Sequence, residues 1–588
     1  MEFTNFKDLK VYKPDPEKIK KQYEEITNRI TNAQTPDEAT NAILDSFKLQ
    51  DEISTNFDII YIRQTINTLD EEYSKLNDYC DEIMPVIQEY SSAVDKAILN
   101  SRFLEEIGEK FGKHYIDLLK VSDKTFKPEI IDYLINENKL QSQYRKVVSS
   151  AQIEYKGKTY TLAQLGSLMQ SQDREVRKET NELYWNFYAE HDKEIGDIYD
   201  KLVKVRTTIA QKLGYDNFIQ LGYDRLLRIG YNYEDVKNYR DEVYINIVPL
   251  SNELFERKIK RIGITDPHYY DYSLTFKSGN PVPKGNCEEL VEAASHMYSK
   301  MNHIASEKFE FMRSHGLFDL ESKKGKAPGG YEAYVPGIKA PFIFSNFNGT
   351  SGDIDVLTHE FGHALQAFLG SSYVVPSYRS PGYECCEMHS MSMEFFAYPY
   401  ISLLVGEEQD EKYRYNHLVS AINFIPYGVS VDEFQHFVYA NPEATHEQRK
   451  AEWRKIEKKY LPHRKYEDNA FLESGGYWLR QTHIFDSPFY YIDYTIAQVV
   501  AFEFFIESLD NYKATFEKYL KFDRLGGAYP YKELLKEAGY ENGQGIPTIE
   551  LMYNSEGPHK DTCQIIQQNW EEIGINVELT NQEWAVFL

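Results

Sequence analysis

From Pro16 to Glu137 apolar residues recur three or four positions apart with few glycines between them, as in "IKKQYEEITNRI" (19–30). That spacing is the period of a helix with one buried face, so this region is committed to long helices. "TPDE" (35–38) supplies a start signal, with Thr35 as N-cap, Pro36 in the first helical position and Glu38 placed to close a capping box. "SVDE" (430–433) and "THEQ" (445–448) repeat the pattern.

Strand signals are sparse. "IEYKGKTYTLAQL" (153–165) alternates around a Lys-Gly turn and predicts a short hairpin before helices resume at "DREVRKETNELYWNFYAEH" (173–191). Between 321 and 350 the chain becomes rich in Gly and Pro, with "PFIFSNF" (341–347) as its strand-like run. A mobile loop and a short strand are expected there. No repeat and no low-complexity tract interrupts the chain, and the class is mainly α with a little β.

At 588 residues and 42% hydrophobic, the chain can bury a large core, and its length suggests several domains or one large domain with an accessory layer. Its 66 Lys and Arg stand against 92 Asp and Glu, a formal charge of −26. Such a surface repels phosphate backbones and anionic lipid, which argues against nucleic acid as a partner. The N-terminus "MEFTNFKDLKVYKPDPEK" is charged throughout, and no run approaches the ~18 apolar residues of a membrane span. The expectation is a cytoplasmic protein without membrane insertion. Five cysteines (Cys80, Cys287, Cys385, Cys386 and Cys563), with no CxxC pair, read as reduced thiols.

"LTHEFGHALQ" (357–366) carries the chemistry. A helix from Ser351 or Asp353 to Gly370 puts Ile354, Leu357, Phe361, Ala364, Leu365 and Phe368 on one side at roughly 100° per residue. His359 and His363 fall on the other, one turn apart, where two imidazoles can bind one Zn²⁺ while Glu360 reaches a water on the metal. Short HExxH strings also arise by chance on solvated helix faces. Here the flanking Leu357, Phe361, Gly362, Ala364 and Leu365 are uncharged, as a water-excluding site needs. A catalytic zinc site has a third protein ligand. "YECCEMHSMSMEFF" (383–396) offers Glu384, Glu387 and Glu394, and spacing alone does not choose among them. Its methionines read as core filling.

The "HEFGHALQ" helix followed by "EMHSMSMEFF" resembles the thimet oligopeptidase and oligoendopeptidase F family of zinc peptidases, most like its bacterial oligoendopeptidase F and Pz-peptidase branch. The resemblance implies one zinc per chain on His359, His363 and Glu387, with Glu360 as general base and Glu394 supporting the ligands. It extends to "HIFDSPFYYIDYTIAQ" (483–498), which implies that His483 and two tyrosines, Tyr491 and Tyr494 in preference to Tyr490, donate to the substrate carbonyl. "PFIFSNFNGT" resembles the family's edge strand, along which a substrate lies as an added strand, with "KAPGGY" (326–331) as a covering loop. A two-lobed helical zincin-type fold is implied, with a small sheet beside the active-site helix and a deep channel that takes short unstructured peptides.

The resemblance ends near "YLKFDRLGGAYPY". The tail then looks like an internal piece of an importer's oligopeptide-binding protein: strand "TIELMYN", helix "HKDTCQIIQQNWEEIG" (559–574) and strand "NVEL", with Trp584, Val586 and Phe587 in need of cover. About 57 residues are too few for that fold's ligand cleft, and a poorly anchored appendage is expected. The expected domains are 1–165, helical; 166–531, the HExxH metallopeptidase; and 532–588, the partial tail. The alternatives are a peptide-binding module linked to transport, which the tail suggests, and an inactive helical scaffold. Regulation through Cys385 and Cys386 is disfavoured, since buried cysteines in such helices are usually inert.

Overall fold

The computed structural model describes residues 3–466, 468–539, 549–554, 560, 563, 564, 567 and 577–582. Helices dominate it, as the periodicity requires. The N-terminal region forms Pro16–Thr31, Pro36–Ile66 and Glu71–Leu99, whose apolar stripes meet at Ile19, Tyr23, Ile43, Phe47, Ile60 and Ile87. Thr35 caps the second helix by accepting from the Glu38 backbone, and the Glu38 carboxylate turns back onto the Gln34 N–H at 2.7 Å. "THEQ" also caps, with Thr445 and Gln448 satisfying each other at the start of His446–Tyr460.

"SVDE" does not cap. Ser430 lies fully buried inside the helix Asp410–Ala440, its hydroxyl donating to Tyr427 O at 2.6 Å. A cap stabilises by about 1 kcal/mol. Burying Ile425, Val429, Val431 and Phe434 around the same site outweighs it, so the helix continues.

The predicted hairpin is β1 (Ile153–Tyr155) paired antiparallel with β2 (Lys158–Tyr160). Lys156 and Gly157 both take positive φ, 49° and 79°, which a tight two-residue turn requires. The hairpin stops sooner than expected, because Thr161 and Gln164 form a capping box and Leu162–Leu168 is helical.

Beside the histidine helix stands a sheet of β3 (Phe318–Glu321), β4 (Tyr331–Val335) and β5 (Ala340–Phe347), in the order β3-β5-β4. "PFIFSNF", the expected edge strand, is instead central: β5 runs parallel to β3 and antiparallel to β4, with Ile343 opposite Glu332. Its almost wholly buried apolar run is the pattern of an interior strand. The edges are β3 and β4, and β4 lies in the stretch expected to be a loop. The loop before β4, expected to be mobile, is tied down. The buried Lys326 ammonium donates to Asp319 O and Glu321 O at 3.0 and 2.9 Å. Asn346 donates to Ala327 O and Gly329 O, each at 2.8 Å.

In the tail, β6 (Ile549–Asn554) and β7 (Val577–Gln582) pair in parallel, Ile549 opposite Val577. The expected helix 559–574 lies mostly outside the described residues, as do Trp584, Val586 and Phe587. None of the five cysteines is in a disulfide. Among the described residues no helix is long and apolar enough to cross a membrane.

Candidate active site

The histidine helix spans Gly352–Gly370. Ile354, Leu357, Phe361, Ala364 and Leu365 are fully buried in the core that includes β5. That burial turns His359 and His363 toward a cleft of about 1070 Å³, which residues of the N-terminal helices, β4 and the 480–494 segment also line.

The second helix, Tyr383–Phe396, lies directly against the first. Gly362 permits the approach: a Cβ there would meet Ser390 Cα at 2.6 Å and His389 O at 2.7 Å. The contact delivers Glu387, whose Oε2 lies 3.2 Å from His359 Nε2 and 3.4 Å from His363 Nε2. The three donor atoms sit within 4.8 Å of one another. Glu384, the other candidate one turn earlier, is outside this cluster.

Glu394 stands behind the ligands. Its Oε1 accepts from His359 Nδ1 at 2.7 Å, and its Oε2 accepts from His417 Nε2 at 2.5 Å. Tyr398 OH lies 2.7 Å from His417 Nδ1, which completes a buried relay. With its Nδ1 proton held by Glu394, His359 turns Nε2 toward the cleft, the nitrogen a metal would take in place of a proton.

The fields in the cluster fit a cation. Burial would raise the Glu387 pKa, but His363 and His359 hold it well below the usual carboxylate range. Burial would lower His359, yet Glu387 and Glu394 push it well above the ordinary imidazole value. The cluster therefore draws in positive charge, and two imidazoles with one carboxylate are a donor set for zinc.

Glu360 points into the same space. It is buried, and its Oε2 has no hydrogen-bond partner. Burial raises its pKa against the pull of both histidines. Gly330 of the "KAPGGY" loop lies close by, where a Cβ would come within 3.5 Å of Glu360 Oε1. Glu332 on β4 lines the same cleft, pushed up to about 8 by burial, with Glu360 and Asp58 adding to the shift.

Across the cleft, His483 is pushed down to about 4 by burial, against the pull of Glu387. It is neutral at pH 7, and its tautomer follows from its neighbours. Tyr427 donates to Gln481 Oε1 at 2.6 Å, so the Gln481 amide nitrogen faces His483 Nδ1 at 2.9 Å and donates to it. The His483 proton is therefore on Nε2, 3.2 Å from Tyr494 OH.

The helix Tyr491–Leu525 carries the tyrosines, with Tyr490 as its N-cap. Tyr490 and Tyr494 share one face, their ring centroids 5.1 Å apart. Tyr490 OH donates to Glu387 Oε1, and the Tyr494 ring lies 6.4 Å from that of His359. Tyr491 lines the cleft from the adjacent face, packed on Phe424, Tyr427 and His483. Arg228 sets this helix start, donating to Phe489 O and Asp493 Oδ1, each at 2.7 Å. Arg228, His417 and the contact of Tyr490 with Glu387 carry no signal in the sequence, because each acts across a distance that no local motif marks.

The profile of the peptidase M3 N-terminal domain matches residues 6–126, and that of peptidase family M3 matches residues 167–550. The solved structure of Pz peptidase A with an inhibitor is 45% identical and superposes with a TM-score of 0.90, over 91% of this chain and 95% of that one. Oligopeptidase PepF of Bacillus subtilis (strain 168) is 21% identical over 440 residues, 69% of this chain, and the match spans 58% of that protein's length. A shorter match, 45% identical over 58 residues, links 10% of the chain to 10% of the periplasmic oligopeptide-binding protein OppA of Escherichia coli (strain K12).

Proposed function

The chain belongs to peptidase family M3, and on that premise we propose that it is a zinc-dependent endopeptidase hydrolysing short, unstructured oligopeptides in its cleft. The observation that carries the reading is the meeting of His359, His363 and Glu387 within 4.8 Å, with the unpartnered Oε2 of the buried Glu360 beside them.

His359 Nε2, His363 Nε2 and the Glu387 carboxylate would hold one zinc ion per chain. Bound there, the ion supplies Lewis acidity to the scissile carbonyl and to the attacking water. Glu360 takes the water proton and passes it to the leaving amine, a role suited to a carboxylate whose pKa burial has raised. His483 Nε2–H and Tyr494 OH donate toward the oxygen on which charge develops. For the second tyrosine role we favour Tyr490, which already reaches Glu387, while Tyr491 braces the His483 ring. The substrate would extend along β4, the sheet edge that lines the cleft.

The free state of all five cysteines fits a reducing compartment, and we place the protein in the cytoplasm. The parallel β6–β7 pair and the short OppA match support reading the C-terminal end as a segment like part of an oligopeptide-binding protein. The test of the main reading is zinc content together with cleavage of a quenched fluorescent peptide. About one zinc per chain, chelator-blocked cleavage and inactivity of a zinc-loaded Glu360→Gln variant are expected. A zinc-loaded Glu360→Gln protein that still cleaves at a near-normal rate would sink it.

A further inference from the structure

Two arginines line the cleft, and they differ in one respect. Arg145 is matched by Asp486, at 3.2 Å. Arg480 has no carboxylate partner among the described residues, and it is an exposed residue among those that line the cleft.

Arg480 is nevertheless held in place. It closes the short turn Gly476–Arg480, and its guanidinium lies over the rings of Tyr477 at 5.4 Å, Tyr184 at 5.8 Å and Trp185 at 6.0 Å. A second guanidinium, Arg464, lies over the Tyr477 ring at 4.5 Å but is matched by Glu457 at 3.2 Å. Aromatic faces attract and orient a guanidinium without consuming its N–H donors. Arg480 therefore keeps its planar fork of donors oriented and uncommitted, in a protein whose net charge is −26.

An arginine on an open surface often lacks a partner, and that alone means nothing. This one is three residues before His483, so the two Cα atoms are at most about 11 Å apart. An extended peptide advances about 3.3 Å per residue. A group held at Arg480 thus lies within a few residues of the bond being cleaved. We propose that Arg480 receives a carboxylate of the substrate peptide, either its C-terminal carboxylate or an Asp or Glu side chain near the scissile bond. Arg480 is thereby a specificity residue that ranks peptides by charge. The inference rests on the peptidase reading.

The experiment uses matched quenched peptides in four forms: free acid or C-terminal amide, each with Asp or Asn at the acidic position. Wild type, Arg480→Met and Arg480→Lys are compared on each. The wild type is expected to prefer one carboxylate form in KM by roughly ten- to a hundredfold, the size of one charge-assisted pair. Amidation abolishing the preference assigns the terminus, and Asp→Asn abolishing it assigns the side chain. Arg480→Met should lose that preference with kcat on the neutral peptide unchanged, and Arg480→Lys should keep part of it. Equal KM for all four peptides on the wild type would overturn the proposal, as would a loss in Arg480→Met that is uniform across them. If the wild type cleaves none of the four, the peptidase reading fails. Equilibrium binding of the same four peptides to wild type and Arg480→Met then still decides the role of Arg480.

Discussion

Glu394 and His359 are joined by a 2.7 Å hydrogen bond, from His359 Nδ1 to Glu394 Oε1, two helical turns beyond Glu387. Glu394 fixes which imidazole nitrogen faces the cleft and adds negative charge behind it. Supporting carboxylates of this kind are worth about 10- to 100-fold in metal affinity or activity. Glu394→Gln keeps the shape and removes the charge, so zinc should bind about tenfold or more weakly while the helices stay folded. Competition with a chromophoric chelator measures it, and unchanged affinity would remove Glu394 from the site.

Gly362 separates the histidine helix from the glutamate helix by less than one methyl group. A Cβ placed 2.6 Å from Ser390 Cα meets backbone rather than a flexible side chain, so the helices must part. Gly362→Ala would ordinarily favour a helix by up to about 1 kcal/mol. Here overpacking of about 1–3 kcal/mol opposes it, and Glu387 moves away from the histidines. The expected result is a lower melting temperature together with lost zinc. A variant with native zinc content and activity would contradict the geometry.

These relationships explain what could be read ahead of the structure. The histidine helix was legible because its two signals, the apolar period and the HExxH spacing, are local and agree. Glu387 was not separable by spacing from Glu384 and Glu394, since which of them meets the histidines depends on how two helices cross. The family resemblance singled it out. β4 was missed because "YEAYV" becomes a strand by pairing with β5, a neighbour the sequence does not point to. Ser430 shows the converse: a sound local cap signal overridden by burial on every side.

Asp95 gives a test of stability by pH. It sits on the helix Glu71–Leu99, and burial, with a smaller push from Asp123, raises its pKa from 3.8 to about 7. The folded chain thus keeps a proton that the unfolded chain releases between those values. The associated stability is fully present below pH 3.8 and is lost as pH rises through about 7. Asp95→Asn mimics the protonated form. It should raise the melting temperature at pH 8, by about 1–2 °C or more for a chain of this size, and leave it unchanged at pH 3.5. A gain of equal size at both pH values would mean that ionisation is not the cause.

Arg228 links stability to chemistry. Its guanidinium and the Asp493 carboxylate are both fully buried, and the same NH2 group also binds Phe489 O. Phe489 takes a positive φ of 68°, a backbone state that a phenylalanine adopts only when its surroundings hold it there. Phe489 and Asp493 immediately precede Tyr490 and Tyr494, so Arg228 is the tie that aims both phenols. Arg228→Met leaves a buried carboxylate unpaired and should cost about 3–5 kcal/mol. Arg228→Met/Asp493→Leu removes both charges and should recover most of that stability. The double variant then separates the two roles. If the tie only stabilises, activity returns with the melting temperature. If it aims the tyrosines, kcat stays reduced by about tenfold or more while KM and zinc content return to normal, because the donors act on charge that develops in the transition state. We expect the second result, measured by steady-state kinetics below the melting transition of both variants.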